Sequence, residues 1–269
     1  PPSVVLETAG DFARVPETWF PVVVKPHRSV VRDGERRRRL AVAFAADRVA
    51  CRRILAALPP AAVPVLVQRR VAGSGEGLFA LRWSGRMVAM FAHRRLREKP
   101  PVGGVSVYRE SVALSPDLVK AGSALLEALS WNGLAMIECR REASSGRHVV
   151  MEINGRLWGS LQLAIDAGID FPTLLMRCSL GEQVATPPSY RVGVRSRWFW
   201  GDVDHLYLRL RRSASELGLV PPTPTRWEAV RQFLSVRPGR DRCEVWRWRD
   251  PLPFLVETLQ WLTVRRSVA

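Results

Sequence analysis

Two short stretches constrain this chain more than any others: Gly133–Glu138, read as GLAMIE, and Val149–Ser160, read as VVMEINGRLWGS. Each is an apolar run that ends in acidic or amide side chains, the form of a buried strand with polar chemistry at its mouth. In the second run Asn154-Gly155 breaks the strand as a turn pair does. Linked by the polar Arg140–Arg147 turn, the two read as neighbouring antiparallel strands that bring Glu138 near Glu152 and Asn154. Residues two apart on a strand share a face, so Glu152 and Asn154 point the same way and Arg156 follows at the next step. Three oxygen-bearing side chains on one face suit a hard cation such as Mg2+, which keeps water and phosphate oxygens in its other positions. An arginine beside them stabilises charge on a transferring phosphoryl group.

Glu138 followed by E-x-N-x-R at Glu152, Asn154 and Arg156 resembles the ATP-grasp superfamily, in particular the carbamoyl-phosphate-synthetase-like carboxylate–amine ligases. The resemblance implies an α+β fold of two lobes with antiparallel sheets enclosing an ATP cleft. It divides the chain into an incomplete N-terminal lobe (residues 1–66), a C-terminal lobe with the metal site (67–186) and a C-terminal extension (187–269). It also implies that Glu138, Glu152 and Asn154 hold Mg2+, or Mn2+ in its place, on the phosphates of ATP while Arg156 assists transfer.

Further elements fall where that family has them. PVVVKP at Pro21–Pro26 is a short buried strand stopped by proline, and its Lys25 is a point charge suited to phosphate. The family's glycine-rich phosphate loop should follow, but here the chain runs HRSVVRDGERRRRL, with a turn expected at Asp33-Gly34 and either a compensating or a merely solvated basic loop at Arg36–Arg39. Asp47–Leu58 has an N-cap, helical apolar spacing and a Pro59-Pro60 stop. VPVLVQRRV then runs into the segment that the resemblance assigns to adenine, namely Gln68, Arg69, Arg70 and Val71, with recognition expected from backbone groups. AGSGEG lacks the ending of a mononucleotide phosphate loop; by resemblance it is a glycine-rich turn whose Glu76 approaches the ribose. LFALRWSGRMVAMFA reads as a hairpin turning at Ser84-Gly85. The stretch after it leads into a Pro/Gly-rich loop bordering phosphates and acceptor, where His93, Arg94, Arg95 and Gly104 are candidate substrate contacts. Ser115–Leu129, with Ser at N-cap and Pro at N1, is an amphipathic helix; Ser160–Ala167 and Asp170–Leu180 are two more, and Pro187-Pro188 marks a linker.

The C-terminal part is less legible. RVGVRSRWFWGDVDHL and EVWRWRDPLPFL mix Trp with Arg, a pattern open both to stacking on a planar ligand and to aromatic packing with Arg at the rim. Arg195 and Arg197 are the candidates for gripping a substrate carboxylate.

Composition removes several classes. The four cysteines are scattered with no C-x-x-C pair, so neither a zinc site nor a disulfide framework is indicated. A net charge of +16 raises nucleic acid as a partner, but the arginines are spread along the whole chain and no nucleic-acid module is recognisable. Only Lys25, Lys99 and Lys120 are lysines, which points to a general arginine bias. No run is long and apolar enough to span a bilayer and no signal peptide opens the chain; the expected compartment is the cytoplasm. The resulting expectation is an ATP-dependent ligase that activates a carboxylate as an acylphosphate for capture by an amine or similar nucleophile. Its family's separate N-terminal domain is then missing or separately encoded. The other reading is a non-catalytic nucleotide-binding or basic interaction module.

Overall fold

The computed structural model describes every residue except 188, 220–222, 236, 238, 239 and 267–269, so the expected Pro187-Pro188 linker lies partly outside it. The chain forms two compact units, Pro1–Ala72 and Gly73–Ala269. Residues 67–72, which the sequence reading puts in the second lobe, fall in the first unit.

In the first unit the strands are β1 (Ser3–Leu6), β2 (Val22–Pro26), β3 (Val30–Asp33), β4 (Arg36–Arg39), β5 (Ala43–Ala45) and β6 (Val65–Arg69), with helix α1 (Arg48–Ala56) between the last two. Four of them make an antiparallel sheet in the order β1-β6-β2-β5. Val22, Val24, Val65 and Val67 are buried with Cys51 of α1 and with Leu6, Phe12 and Val15. Asp47 caps α1 by accepting the Ala50 amide at 2.8 Å, as its sequence position promises. β3 and β4 form a separate hairpin, in which Asp33 faces Arg36 across the turn and Gly34 takes the left-handed φ of 64° such a turn needs.

The second unit is built on a seven-stranded sheet. Its strands are β7 (Gly73–Trp83), β8 (Arg86–Lys99), β9 (Val105–Ser111), β10 (Gly133–Glu142), β11 (His148–Asn154), β12 (Arg195–Arg197) and β13 (Asp241–Cys243), in the order β11-β10-β7-β8-β9-β12-β13. All neighbours are antiparallel except β12 with β13. The β7–β8 hairpin turns at Ser84 and Gly85, both with positive φ (48° and 80°). Its helices are α2 (Pro116–Ala128), α3 (Leu161–Ala167), α4 (Phe171–Ser179), α5 (Phe199–Arg211), α6 (Arg226–Leu234) and α7 (Leu252–Arg266). Strand alternation sends Phe79, Leu81, Phe91, Leu134 and Met136 to one face, where Trp158, α3 and α4 cover them. Leu78, Ala80, Ala135 and Ile137 go to the other, under α2. Gly122 of α2 lets that helix settle on the sheet: a Cβ there would lie 2.3 Å from Leu78 Cδ2.

Three expectations change. AGSGEG is no turn, because from Gly73 onward it is the start of β7. His93, Arg94 and Arg95 lie within β8 rather than in the Pro/Gly loop, which spans residues 100–104 between Lys99 and Val105. Part of the C-terminal extension joins the central sheet, β12 pairing with Tyr108, Arg109 and Glu110 of β9 and β13 pairing with β12.

Candidate functional site

On one face of the seven-stranded sheet the apolar core gives way to a polar end, and this end contains the acidic side chains singled out above. Cross-strand pairing sets Glu138 of β10 directly opposite Glu152 of β11, and Met136 opposite Asn154, so all three polar side chains share the face. Asn154 Nδ2 donates to Glu152 Oε1 at 2.9 Å and to Glu138 Oε1 at 3.4 Å. A bulge immediately after this pair shifts the ladder, so that Cys139 faces Val150 and Met151 is the extra residue. The convergence expected of Glu138, Glu152 and Asn154 is present.

Glycine makes the floor. Glu138 pairs across β7 with Gly77, and Arg140 with Gly75. An added Cβ at Gly77 would come within 2.9 Å of Phe79 Cζ and 3.4 Å of His93 Nε2; at Gly75 it would meet Arg95 Cδ at 2.8 Å. The alternating glycines 73, 75 and 77 thus clear the same face that carries the carboxylates, a period-two signal legible in the sequence and easily mistaken for a loop.

Arg95 crosses this floor. Its guanidinium donates to Glu138 Oε2 at 2.5 Å, to Glu98 Oε1 at 3.0 Å and to the Gly104 carbonyl at 3.1 Å. Arg140 approaches Glu98 from the other side at 3.5 Å. The two ends of the Arg95–Glu138 pair respond differently. Burial lowers the Arg95 pKa, but Glu138 and Glu98 together more than reverse this, so the guanidinium is held charged. Glu138 is raised above the ordinary carboxylate range, by burial first and by Glu152 as well, with Arg95 only partly opposing.

His93, also expected to touch substrate, is 1% exposed and forms an edge contact with Phe79 at 4.6 Å. Neither ring nitrogen has a hydrogen-bond partner. Burial, reinforced by Arg95 and Arg109, depresses its pKa well below 6.5 and keeps the ring neutral.

Other candidates are placed elsewhere. Glu76 pairs with Cys139, one residue on from Glu138, and therefore projects from the opposite face, where it meets His148 Nε2 at 2.9 Å. Arg94 and Arg195 share that opposite face and both donate to Glu110, at 2.8 and 2.9 Å. Arg197 donates to Asp202, a fully buried carboxylate that also takes two bonds from Arg97 at 2.6 and 2.7 Å. The two arginines offered for a substrate carboxylate are thus engaged by carboxylates of the chain itself. Arg156 lies beyond the end of β11 and donates to the Leu157 carbonyl at 3.1 Å, so strand alternation does not carry it onto the site face.

In the first unit Lys25 stands at the end of β2, next to the buried Val22–Val24 run. Gln68 is buried and donates to Ser3 Oγ at 3.0 Å, leaving its Oε1 unpartnered. The Arg69 and Arg70 amides donate to the carbonyls of Pro2 and Pro21. Arg70 lies over the Phe44 ring at 5.2 Å.

The donor set fits Mg2+. Two carboxylates and a carboxamide are hard oxygen ligands, and a half-turn of the Asn154 amide replaces its donor with Oδ1. Among the described residues no group of three or more His, Cys, Asp and Glu side chains converges to hold a metal; two carboxylates and an amide would leave the other positions of Mg2+ to water or phosphate oxygens.

The structure is similar to solved ATP-grasp enzymes. Staphylococcus aureus N5-carboxyaminoimidazole synthetase matches with a TM-score of 0.54 and 13% identity over 72% of this chain and 49% of its own. A Bacillus licheniformis L-amino acid ligase matches with a TM-score of 0.52 and 19% identity, over 68% and 44%. The Hydrogenobacter thermophilus 2-oxoglutarate carboxylase biotin carboxylase domain, solved with MgADP and bicarbonate, matches with a TM-score of 0.54 and 12% identity, over 72% and 45%. At such identities the likeness is one of fold, and this chain spans less than half the length of each. No curated protein matches the sequence. Residues 62–200 match the family described as ATP-grasp in the biosynthetic pathway with Ter operon. That stretch is more than half of the chain and holds Glu138, Glu152, Asn154 and Arg156: the protein belongs to the ATP-grasp family.

Proposed function

We propose that the protein is an ATP-dependent ligase that activates a carboxylate for capture by an amine or another nucleophile. The observation that carries this reading is the meeting of Glu138, Glu152 and Asn154 above a glycine floor. Mg2+ bound there would neutralise phosphate charge as the terminal phosphoryl group moves. Glu138 and Glu152 would supply its anionic ligands and Asn154 a neutral one, while Arg156 would reach phosphate from the loop after β11. A substrate carboxylate oxygen bonds to the γ-phosphorus as the bond to ADP breaks, giving an acylphosphate. The nucleophile then attacks the acyl carbon and expels phosphate.

Arg95 has a specific part in this reading. It orients Glu138 and opposes the rise that burial and Glu152 impose on its pKa, and Glu138 Oε2, which accepts from Arg95, is an oxygen that a metal ion would share with the guanidinium. Lys25 is proposed to contact phosphate as a point charge, where arginine would be a poor replacement. Arg195 stands on the opposite face, so the site-face arginines Arg95 and Arg140 are the ones proposed to meet an acid or acceptor, by exchanging their bonds to Glu138 and Glu98.

The test is ADP release from Mg-ATP in the presence of a panel of amino acids and other carboxylates, with hydroxylamine added to trap the acylphosphate as a hydroxamate. Hydroxamate that depends on one acid supports ligation. ATP binding without acid-dependent ADP or hydroxamate would favour the nucleotide-binding module, a reading that gains from the arginine hairpin standing where the glycine loop should be.

A further inference from the structure

Helix α7 is apolar on two opposite sides. Its inner side is fixed by side-chain bonds and rings: Trp200 Nε1 donates to Thr258 Oγ1 at 2.8 Å, Trp261 Nε1 donates to Asp204 Oδ1 at 3.0 Å, and Trp198 Nε1 donates to Glu257. Trp200 and Trp261 stack at 4.2 Å, and Phe254 packs on Trp246 at 5.5 Å. Residues 254, 257, 258 and 261 therefore face the α5 side, and the helix cannot roll about its axis without breaking three hydrogen bonds.

The outer side carries Leu252, Leu255, Val256, Leu259 and Leu262, exposed by 64, 50, 44, 64 and 43%. The leucines are spaced 3, 4 and 3, the a/d spacing of a helix–helix seam. With Val256 they form a stripe about 120° wide, diametrically opposite the inner side.

Charge narrows the occupant. The chain has 41 lysines and arginines, yet residues 250–264 contain none. A chain at +16 repels its own copies, and a stripe cleared of basic side chains is where that repulsion is least. A membrane-surface helix has the opposite design, with basic residues on the side away from its apolar stripe. We infer that the outer face of α7 is the contact between two copies of this chain, packed about a two-fold axis so that each leucine stripe covers the other. From the exposures, the stripe offers about 500 Å² per chain, or about 1,000 Å² for the pair, the least that a specific interface buries.

The experiment is sedimentation velocity on the full chain across the micromolar range, with Leu255→Gln/Leu259→Gln as the variant. The wild type should sediment at twice 30.2 kDa. The double variant should be monomeric, its dimer dissociation constant raised about a hundredfold or more, with unchanged helical circular dichroism. Independently, Leu259→Cys, near the centre of the stripe, should give a covalent dimer under a mild oxidant while Leu234→Cys on α6 does not. A wild type that stays monomeric throughout, a dimer that survives the double substitution, or a monomer that cosediments with phosphatidylserine vesicles through this face would each overturn the inference.

Discussion

Replacing Arg95 by methionine keeps the length of the side chain and removes its charge. Arg95 is 12% exposed and bridges Glu98 and Glu138, which are 13% and 23% exposed, and Glu152 lies directly across from Glu138. Removing one partner from a buried ion pair leaves its carboxylate unpaired, a loss of about 3–5 kcal/mol. Because Glu138 keeps some solvent contact, the lower end, about 3 kcal/mol, is expected. The loss should depend on pH. Glu138 is already raised by burial and by Glu152, and without Arg95 it rises further. A carboxyl raised in the folded state contributes stability below its unfolded pKa and loses that contribution as pH rises through its folded pKa. The variant should therefore lie closest to wild type near pH 4 and furthest from it at pH 8. Mg2+ should narrow the gap at pH 8, because a cation at a hundredfold its dissociation constant stabilises by about 2.7 kcal/mol and no longer competes with the guanidinium. The assay is urea unfolding followed by circular dichroism, at both pH values, with EDTA or Mg2+. A loss below about 1 kcal/mol, or one of equal size at both pH values and indifferent to Mg2+, would refute the placement of Arg95 against these carboxylates.

Further outcomes follow from individual contacts. Gly77→Ala sets a methyl 2.9 Å from Phe79 and should cost about 1–3 kcal/mol by thermal melting, with weaker Mg-ATP binding, whereas Gly85→Ala, with nothing near it, is strained only by its φ. Asp202→Asn strips the buried partner of Arg97 and Arg197 and should destabilise by about 3 kcal/mol or more while leaving the KM for the acid substrate unchanged; a selective rise in that KM would return Arg197 to the substrate site. Lys25→Arg should weaken nucleotide binding about tenfold by calorimetry, and wild-type affinity would make Lys25 a structural residue. Cys139, buried and pushed up to about 12, should resist alkylation at pH 8 in the folded protein, as judged by mass spectrometry.

Much of the site was legible because strand periodicity is short-range. Glu138, Glu152 and Asn154 needed only two apolar runs, one polar turn and alternation to be placed on one face. Where the reading failed, the deciding information was long-range. Strand alternation does not place Arg156 because β11 ends at Asn154, and it sends Glu76 to the opposite face because β7 begins as early as Gly73 and fixes its parity against β10. Nothing local distinguishes an arginine kept for substrate from one engaged by the chain itself. Arg197 meets Asp202 five residues on, yet that buried carboxylate is also bonded by Arg97 from β8, a partner far away in sequence. Likewise Trp198, Trp200 and Trp261 turn inward because Glu257, Thr258 and Asp204 offer them acceptors, whereas Trp248 stays exposed.

Calorimetric titration of ATP into the chain with and without Mg2+ tests the Glu138, Glu152 and Asn154 site most directly. Wild type should bind ATP more tightly with Mg2+, and Glu138→Gln/Glu152→Gln should abolish that difference while keeping the metal-independent part of the affinity and an unaltered fold. An equal Mg2+ enhancement in the double variant would contradict the assignment of Glu138, Glu152 and Asn154 as the metal site.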